Sequence, residues 1–155
     1  MIKKILIANR GEIAVRIIRA ARIRGIKSVA VYSESDQNSL HVKLADESVC
    51  IGEGPAFKSY LNQERVLSAA EITGADAIHP GYGFLAENPD FVRRCEEMGI
   101  EFIGPRADVM ELMGNKSMAR KTMDEADVPV VPGSLESLTK MKDALKIAEE
   151  IGSPV

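Results

Sequence analysis

The chain alternates short runs of apolar, strand-forming residues with longer segments whose apolar residues recur at helical spacing. The first run covers residues 3–8, and in residues 11–24 apolar side chains return every three or four positions until Gly25. Strands joined by helices predict a parallel sheet with helices on both faces, because each crossover returns the chain to the same end of the sheet. We therefore expect an α/β fold of Rossmann-like layout.

Local signals predict the remaining elements. Asn62 is an N-cap residue for a helix that Gly74 ends, and Asn88 followed by Pro89 starts another helix. Residues 33–38 are polar and are predicted as a loop. The predicted strands are 3–8, 28–32, 47–51, 76–79 and 101–103, and the predicted helices are 11–24, 62–73, 89–98, 107–113, 116–126 and 140–151.

The sequence also suggests where one domain ends. Residues 128–137 contain two prolines and a glycine, which is typical of a linker, so we expect a first domain over residues 1–127. Residues 128–155 would then be a linker and a helix that lead into a further domain. The last residues, 151–155, combine a helix stop with the start of a new strand, and this pattern predicts that the protein continues beyond Val155.

Composition excludes several classes of protein. The chain has 155 residues, of which 45% are hydrophobic and 28% charged, as in an ordinary soluble domain. No apolar run approaches the roughly 20 residues that cross a bilayer, and the first strand is too short for a signal peptide. We expect a cytoplasmic protein that binds no membrane, and the net charge of −3 gives no reason to expect a nucleic-acid partner.

Few residues are suited to metal binding or nucleophilic catalysis. Cys50 and Cys95 lack CxxC spacing and are predicted to be buried free thiols, and the chain has two histidines. No Ser-His-Asp or Cys-His set stands at a convincing spacing. We therefore expect neither a catalytic residue nor a metal ligand in this chain.

Three features are candidate ligand-binding sites, each with a structural alternative. The strand, loop and helix of residues 6–12 could hold a phosphate at the start of the helix, although GxGxxG and Walker A motifs are absent. No acidic residue ends the second strand, where it would bind a ribose, so NAD binding is disfavoured. The glycines of residues 79–85 allow close approach of a ligand, or they form a tight turn above His79. Lys116 stands in a helical first turn, where a bound anion would offset its charge, although surface lysines are also common there.

Taken together and in order, these segments resemble the opening of biotin carboxylases. The resemblance is carried by residues 4–14, by 45–47 with 59–62, and by 79–85 with Glu87 and Asn88. It continues through 102–105, 113–116 and 131–133, and it covers the chain from about residue 3 to Val155.

The resemblance implies an ATP-grasp ligase. Such an enzyme uses ATP with Mg²⁺ or Mn²⁺ to activate bicarbonate as carboxyphosphate, and CO₂ then reaches biotin on a carrier protein. The present chain would be the domain that precedes the ATP-grasp domain. The family's phosphate loop, metal-binding glutamates, bicarbonate-binding arginine and biotin site would lie beyond Val155. We therefore expect the isolated chain to be inactive and to bind none of these cofactors tightly.

The resemblance also implies roles for individual residues. Lys116 matches a position that contacts ATP, and the family often has aspartate where this chain has Asn115. Arg16 and Arg19, in the basic segment 1–27, match the family's dimer-contact region; the alternative is a solvated helix face. The loop residues that would line the active-site side of the domain are His79, Gly81, Tyr82, Gly83 and Glu87.

The implied partners are the remainder of the carboxylase chain, a second copy in a homodimer, the biotin carboxyl carrier protein and a carboxyltransferase. The acyl acceptor does not follow from these residues. We expect the biotin carboxylase of acetyl-CoA carboxylase, which serves fatty acid synthesis. The alternatives are the same domain of pyruvate, propionyl-CoA or methylcrotonyl-CoA carboxylase, or a non-catalytic module for nucleotide binding or dimerisation.

Overall fold

A five-stranded parallel sheet forms the centre of the fold. The computed structural model describes residues 1–131 and 140–152. The strands, in the spatial order β3-β2-β1-β4-β5, are β1 (Lys4–Ile7), β2 (Lys27–Ser33), β3 (Glu47–Gly52), β4 (Ala77–His79) and β5 (Glu101–Phe102). The chain builds outward from β1 to β3 and then crosses to the other side of β1. This order confirms the Rossmann-like layout and puts a topological switch point between β1 and β4.

Helices connect these strands and follow them. They are α1 (Gly11–Ile23), α2 (Leu40–Leu44), α3 (Gln63–Thr73), α4 (Pro89–Glu97), α5 (Ala107–Gly114), α6 (Lys116–Glu125) and α7 (Met141–Ile151). The chain divides into two compact units, Met1–Ala107 and Asp108–Val155, and the whole sheet belongs to the first. Compactness alone does not define an independently folding domain, so the predicted boundary at residue 127 stays a prediction.

Alternate residues of β1 pack on opposite faces of the sheet. Ile5 and Ile7 pack against the apolar side of α1, whereas Leu6 and Ala8 belong to the core under α3 and α4. Helices therefore cover both faces, as the sequence predicts. A central parallel strand buried on both faces must be apolar at nearly every position, which explains its uninterrupted apolar run.

Two of the predicted helix starts are confirmed by their hydrogen bonds. The Asn62 side chain accepts a bond from the Arg65 amide at 3.1 Å, and Asn88 accepts one from the Phe91 amide at 3.0 Å. Gly74 ends α3 in the left-handed conformation, with φ 64°. Local capping chemistry was readable from the sequence because each cap contacts a residue only three positions away.

The segment predicted as a loop over residues 33–38 has more structure than expected. Strand β2 continues to Ser33, a 3-10 turn covers Glu34–Asp36, and α2 follows at Leu40. One turn of helix is too short to show a periodic apolar pattern. In addition, the turn is held by a contact with Tyr60 from a distant part of the chain, so no local signal was available.

Cys50 corrects the prediction of two buried thiols. Both cysteines are free, and Cys95 is buried on the inner side of α4, but Cys50 is exposed. Strand β3 lies at the end of the sheet order, and Cys50 sits on its exposed side, next to buried Ile51. Strand propensity predicted the element correctly, but it does not tell an edge strand from a central one.

The structure describes only part of the predicted C-terminal segment. The last predicted helix, over 140–151, is confirmed as α7. Residues 132–137 of the predicted linker and residues 153–155 of the predicted new strand lie outside the described residues.

The two sides of α3 provide a test of the packing. Leu67 is 2% exposed in the core, and Ile72 on the same helix is 79% exposed. We expect Leu67→Ala to lower the free energy of unfolding by about 2–5 kcal/mol, because it leaves a cavity. Ile72→Ala, the control, should change it by about 0.5 kcal/mol or less. Urea unfolding of both variants measures the difference, and equal losses would contradict this assignment of the core.

Candidate functional site

The candidate site lies where the carboxyl ends of β1 and β4 meet. In open α/β sheets, ligands bind in the crevice at such a switch point. The Ala8 amide donates to the His79 carbonyl at 2.9 Å, so the pairing of the two strands continues to the last residue of β4. Residues 79–85, which the sequence singled out, form the loop that follows; we call it the switch loop.

The switch loop contains three residues in the left-handed backbone region. Gly81 has φ 68°, Gly83 has φ 67° and Phe84 has φ 43°. Glycine adopts this conformation freely, but a residue with a Cβ atom is strained there. The Phe84 ring stacks on Tyr60 with 5.2 Å between ring centroids and 12° between the planes. This stacking helps to hold Phe84 in its strained conformation.

Tyr60 also belongs to a polar group that the sequence did not predict. Its hydroxyl donates to Oδ2 of Asp36 at 2.6 Å and accepts a bond from the Ser33 amide at 2.9 Å. The same Asp36 oxygen accepts bonds from Ser33 Oγ at 3.0 Å and from Arg10 Nη1 at 3.1 Å. We call these residues, together with Phe84, the Asp36 cluster.

The charges of the Asp36 cluster follow from its hydrogen bonds. Burial alone would raise the pKa of Asp36, but bonds from Tyr60, Arg10 and Ser33 hold it below the usual range. Burial, and next the bond to Asp36, raise the pKa of Tyr60 to about 12. Asp36 is therefore ionised at neutral pH, and Tyr60 keeps the proton that it donates.

Arg10 joins the Asp36 cluster to the switch loop. Its guanidinium carbon lies 5.4 Å from the ring centroid of Tyr60 and 5.9 Å from that of Phe84. A cation at these distances is attracted, because the face of an aromatic ring carries a negative electrostatic potential. A cation from the end of β1 thus contacts a ring of the loop that follows β4.

The predicted loop residues differ in what they offer to a ligand. Tyr82 is 58% exposed, and its hydroxyl donates to Oε1 of Glu12 in the first turn of α1. That bond raises the pKa of Tyr82. Gly83 and Glu87 are also exposed, so the outer surface of the loop is accessible.

His79 has a structural role within the loop. Its Nδ1 accepts a bond from the Gly81 amide at 3.1 Å, which requires an unprotonated Nδ1. Burial lowers the pKa of His79, in agreement with a neutral ring. These contacts agree with the interpretation of His79 as a residue packed beneath a turn.

Lys116 belongs to the second compact unit. It is the first residue of α6 and is exposed. The side-chain oxygen of Asn115 accepts bonds from the Ser117 and Met118 amides, both at 3.1 Å. A neutral amide oxygen thus caps the helix where the family often has a carboxylate. The contact of Lys116 with ATP stays a prediction.

Arg16 and Arg19 lie on the exposed side of α1. Both side chains line a surface groove together with Leu40 at the start of α2. They are accessible for a contact with another chain, but the dimer contact itself stays a prediction.

Comparison with known families decides which family this is. Residues 1–110 match the model of the biotin carboxylase N-terminal domain. The chain belongs to that family. Residues 115–155, which include Lys116, match the ATP-binding domain of the carbamoyl-phosphate synthase L chain.

Individual relatives agree with this assignment. Biotin carboxylase 1 of Bacillus subtilis is 58% identical over 155 residues, which are 100% of this chain and 34% of the relative. The structure of a Campylobacter jejuni biotin carboxylase in complex with beta-gamma-ATP superposes with a TM-score of 0.94 and 51% identity, over 99% of this chain and 34% of that one. The biotin carboxylase domain dimer of Hydrogenobacter thermophilus 2-oxoglutarate carboxylase, in complex with magnesium ADP, ADP and bicarbonate, has a TM-score of 0.91 and 54% identity, with the same coverage. This chain therefore spans about a third of the length of these relatives.

Sequence reasoning missed several residues of this biotin carboxylase N-terminal domain. Asp36 and Tyr60 are 24 positions apart. Tyr60 lies in the segment 59–62 that carries the resemblance, but nothing in that segment pairs it with Asp36. Asn9 donates to two carbonyl oxygens of the switch loop, more than 70 positions away. The sequence did give one signal for Asn9: this polar residue directly follows the apolar strand that lies at the centre of the sheet.

The described residues, 1–131 and 140–152, contain neither a cluster of metal-binding side chains nor a membrane-spanning helix. No group of three or more His, Cys, Asp or Glu side chains among them could hold a metal ion. No helix in that part of the chain is long and apolar enough to cross a membrane.

The two histidines provide a test of the site's electrostatics. Burial lowers the pKa of both His41 and His79 below 6.5. His41 Nε2 lies 3.3 Å from the Val31 carbonyl oxygen, which can only accept, so Nε2 carries the proton. Nδ1 of His41 has no hydrogen-bond partner among the described residues. Proton NMR should therefore show two imidazole titrations, both with midpoints below 6.5.

The same shifts predict how stability depends on pH. The two histidines bind protons more readily in the unfolded chain than in the folded one. The free energy of unfolding is therefore highest above the pKa of an unfolded histidine, and it falls as the pH drops below about 6.5. Urea unfolding at about pH 7.5 and about pH 5.5 measures this loss. A titration midpoint above the ordinary value for either histidine would contradict the burial found here.

Proposed function

We propose that this chain is the N-terminal part of a biotin carboxylase. That enzyme would use ATP and bicarbonate to carboxylate biotin on a carrier protein, in the first half-reaction of acetyl-CoA carboxylase. The observation that supports this most is the match of residues 1–110 to the N-terminal domain of that family. The switch loop is consistent with it, because it presents accessible groups at the crevice where α/β sheets bind ligands.

In this proposal Lys116 contacts the phosphates of ATP. Its ammonium group stands at the positive end of α6, where a bound phosphate would offset the repulsion. It also lies inside the segment that matches an ATP-binding domain. The lysine would attract the nucleotide and stabilise the charge that moves during phosphoryl transfer.

The switch loop would line the active site without taking part in bond making. Tyr82 offers a phenol whose hydroxyl is already bonded to Glu12, and His79 is used inside the loop. Neither arrangement resembles a nucleophile with its base. The loop would shape the crevice and exclude water, while the chemistry takes place on groups from the rest of the enzyme.

The remaining machinery would come from sequence beyond Val155. ATP with Mg²⁺ or Mn²⁺, bicarbonate and carrier-bound biotin would be the ligands of the whole enzyme. Metal ions and several positive groups do most of the work in phosphoryl transfer, and one lysine cannot replace them. The isolated chain would accordingly turn over no ATP.

A homodimer would use Arg16 and Arg19 on α1. Their exposure and their position along one groove support this, as does the related 2-oxoglutarate carboxylase domain, which was solved as a dimer. Cations of this kind favour an acidic surface on the partner. The carrier protein and the carboxyltransferase would be further partners of the whole enzyme.

The acyl acceptor separates the proposal from its alternatives. The relatives include a biotin carboxylase at 58% identity and a domain of 2-oxoglutarate carboxylase at 54%. These values are too close to assign an acceptor, so pyruvate and propionyl-CoA carboxylases are alternatives to acetyl-CoA carboxylase. The cytoplasmic location also stays a prediction.

Lys116 can be tested against a lysine of the same helix. In an enzyme extended to the length of its relatives, we expect Lys116→Ala to lower kcat/KM for ATP by roughly 10- to 100-fold, because a charge near the phosphates is lost. Lys121→Ala removes an equally exposed lysine of α6, whose amine lies 3.9 Å from Glu125, and should leave kcat/KM within about twofold. The measurement is bicarbonate-dependent ATP hydrolysis.

Calorimetry on the 155-residue chain completes this test. We expect no binding of magnesium ATP to the chain or to its Lys116→Ala variant. Tight binding that disappears in the variant would favour an independent nucleotide-binding module instead. An equal loss of kcat/KM for ATP in the Lys116→Ala and Lys121→Ala variants of the extended enzyme would contradict the role proposed for Lys116.

The dimer contact is tested by sedimentation of the extended enzyme. Replacing both Arg16 and Arg19 by glutamate should shift the enzyme from dimer to monomer, because the sign of the contact charge is reversed. Replacing Arg93 and Lys121 by glutamate makes the same change in charge away from α1 and should preserve the dimer. A dimer that survives the first pair of changes would contradict the proposal.

A further inference from the structure

Asn9 has a buried side-chain amide, and two of its three hydrogen bonds are made to one loop. It is 4% exposed and follows directly after β1 and Ala8. Its Nδ2 donates to the Pro80 carbonyl at 2.8 Å and to the Tyr82 carbonyl at 2.9 Å. Its Oδ1 accepts a bond from the amide of Arg10 at 2.9 Å. Both hydrogens of the amide group are therefore used on the switch loop.

These bonds continue the strand pairing after the strands have ended. The last backbone bond between the two strands runs from the Ala8 amide to the His79 carbonyl. Beyond it, the Asn9 side chain supplies the donors that a further residue of strand would otherwise offer. Two carbonyls that point at the same place repel each other, and the two N–H donors of one amide group satisfy both at once.

Gly81 lies between those two carbonyls and fits closely against Asn9. A Cβ atom at Gly81 would stand 2.8 Å from Asn9 Nδ2 and 3.2 Å from its Cβ, closer than side chains tolerate. The left-handed φ of 68° at Gly81 also lets the Pro80 and Tyr82 carbonyls both point toward the Asn9 amide group. Asn9 and Gly81 are thus a matched pair, although 72 positions separate them in the sequence.

We propose that Asn9 is a positioning residue that holds the backbone of the switch loop, so that exposed Tyr82 is presented at the switch point in one orientation. The other contacts of the loop involve its side chains. Phe84 stacks on Tyr60, Tyr82 bonds to Glu12, and the His79 bond to Gly81 lies within the loop itself. Asn9 connects the middle of the loop to the most buried strand of the sheet. The link to catalysis rests on the proposed function, whereas the effect on the loop does not.

The test compares the same substitution at two asparagines that use opposite ends of the amide. Asn9 acts as a donor to the loop, and Asn62 acts as an acceptor at the start of α3. Asn9→Asp removes both donors and sets a carboxylate against two carbonyl oxygens. Asn62→Asp, the control, keeps the acceptor and remains a good cap.

Hydrogen exchange of the 155-residue chain reads out the loop. The Gly81 amide is bonded to His79 and the Ala86 amide to Gly83, so both report on the loop's integrity. In Asn9→Asp we expect both amides to exchange roughly tenfold faster or more, because two hydrogen bonds are lost. The amides of β2 and all those of the Asn62→Asp chain should exchange as before. Unchanged exchange at Gly81 and Ala86 would overturn the proposal.

A second variant covers the case in which Asn9→Asp does not fold. Asn9→Ala removes the donors without adding charge and leaves room for water beside the two carbonyls. It should again speed exchange at Gly81 and Ala86 more than in β2. Equal acceleration across the whole chain would mean a general loss of stability and would overturn a specific role in the loop.

Kinetics of the extended enzyme test the link to catalysis. With free biotin as substrate, Asn9→Ala should lower kcat by roughly tenfold, because the loop is less often in the productive geometry. KM for ATP should stay within about twofold, since the proposed nucleotide contact belongs to the other compact unit. A loosened loop with unchanged kcat would overturn the catalytic role of the positioning. If the unmodified enzyme carboxylates no biotin, the proposed function fails, and hydrogen exchange alone then decides the role of Asn9.

Discussion

The parallel pairing of β1 with a strand on each side is the constraint on which the rest of this molecule depends. Strand β1 is buried on both faces and pairs with β2 and β4. The chain leaves β1 toward α1 on one face of the sheet and leaves β4 toward α4 on the other face. A crevice must therefore open where the carboxyl ends of β1 and β4 meet. The switch loop, the start of α1 and the Asp36 cluster are all found there because of this one topological fact.

Buried polar groups give the crevice its fixed shape. Asp36 accepts bonds from three side chains, and the Asn9 amide satisfies two carbonyls that would otherwise face each other. Networks of this kind resist displacement, because moving one member weakens several hydrogen bonds at once. The strain at Phe84 is tolerated in this setting, where its ring stacks on Tyr60 and also lies 5.9 Å from the guanidinium carbon of Arg10. The first compact unit is thus suited to positioning rather than to bond chemistry.

The same arrangement disfavours the dinucleotide binding for which the Rossmann-like layout is best known. Dinucleotide-binding versions place an acid near the end of the second strand to hold a ribose. Asp36 stands close to that position here, but its carboxylate is occupied by Tyr60, Ser33 and Arg10. The loop before α1 also lacks the glycines that admit a pyrophosphate. The architecture is shared, and the side chains at the crevice decide what it can bind.

Local features of this protein were determined by the sequence itself. Apolar periodicity predicted the five strands and most helices, and the caps at Asn62 and Asn88 were readable because each contacts a residue three positions on. The segment that forms the switch loop was also recognisable from its glycines. Tertiary structure alone decided that Asn9 supports this loop, that Tyr60 binds Asp36, and that Cys50 lies exposed on an edge strand. The reason is physical: these contacts depend on the order and register of strands, which long-range pairing sets, and no short stretch of sequence encodes its distant neighbour.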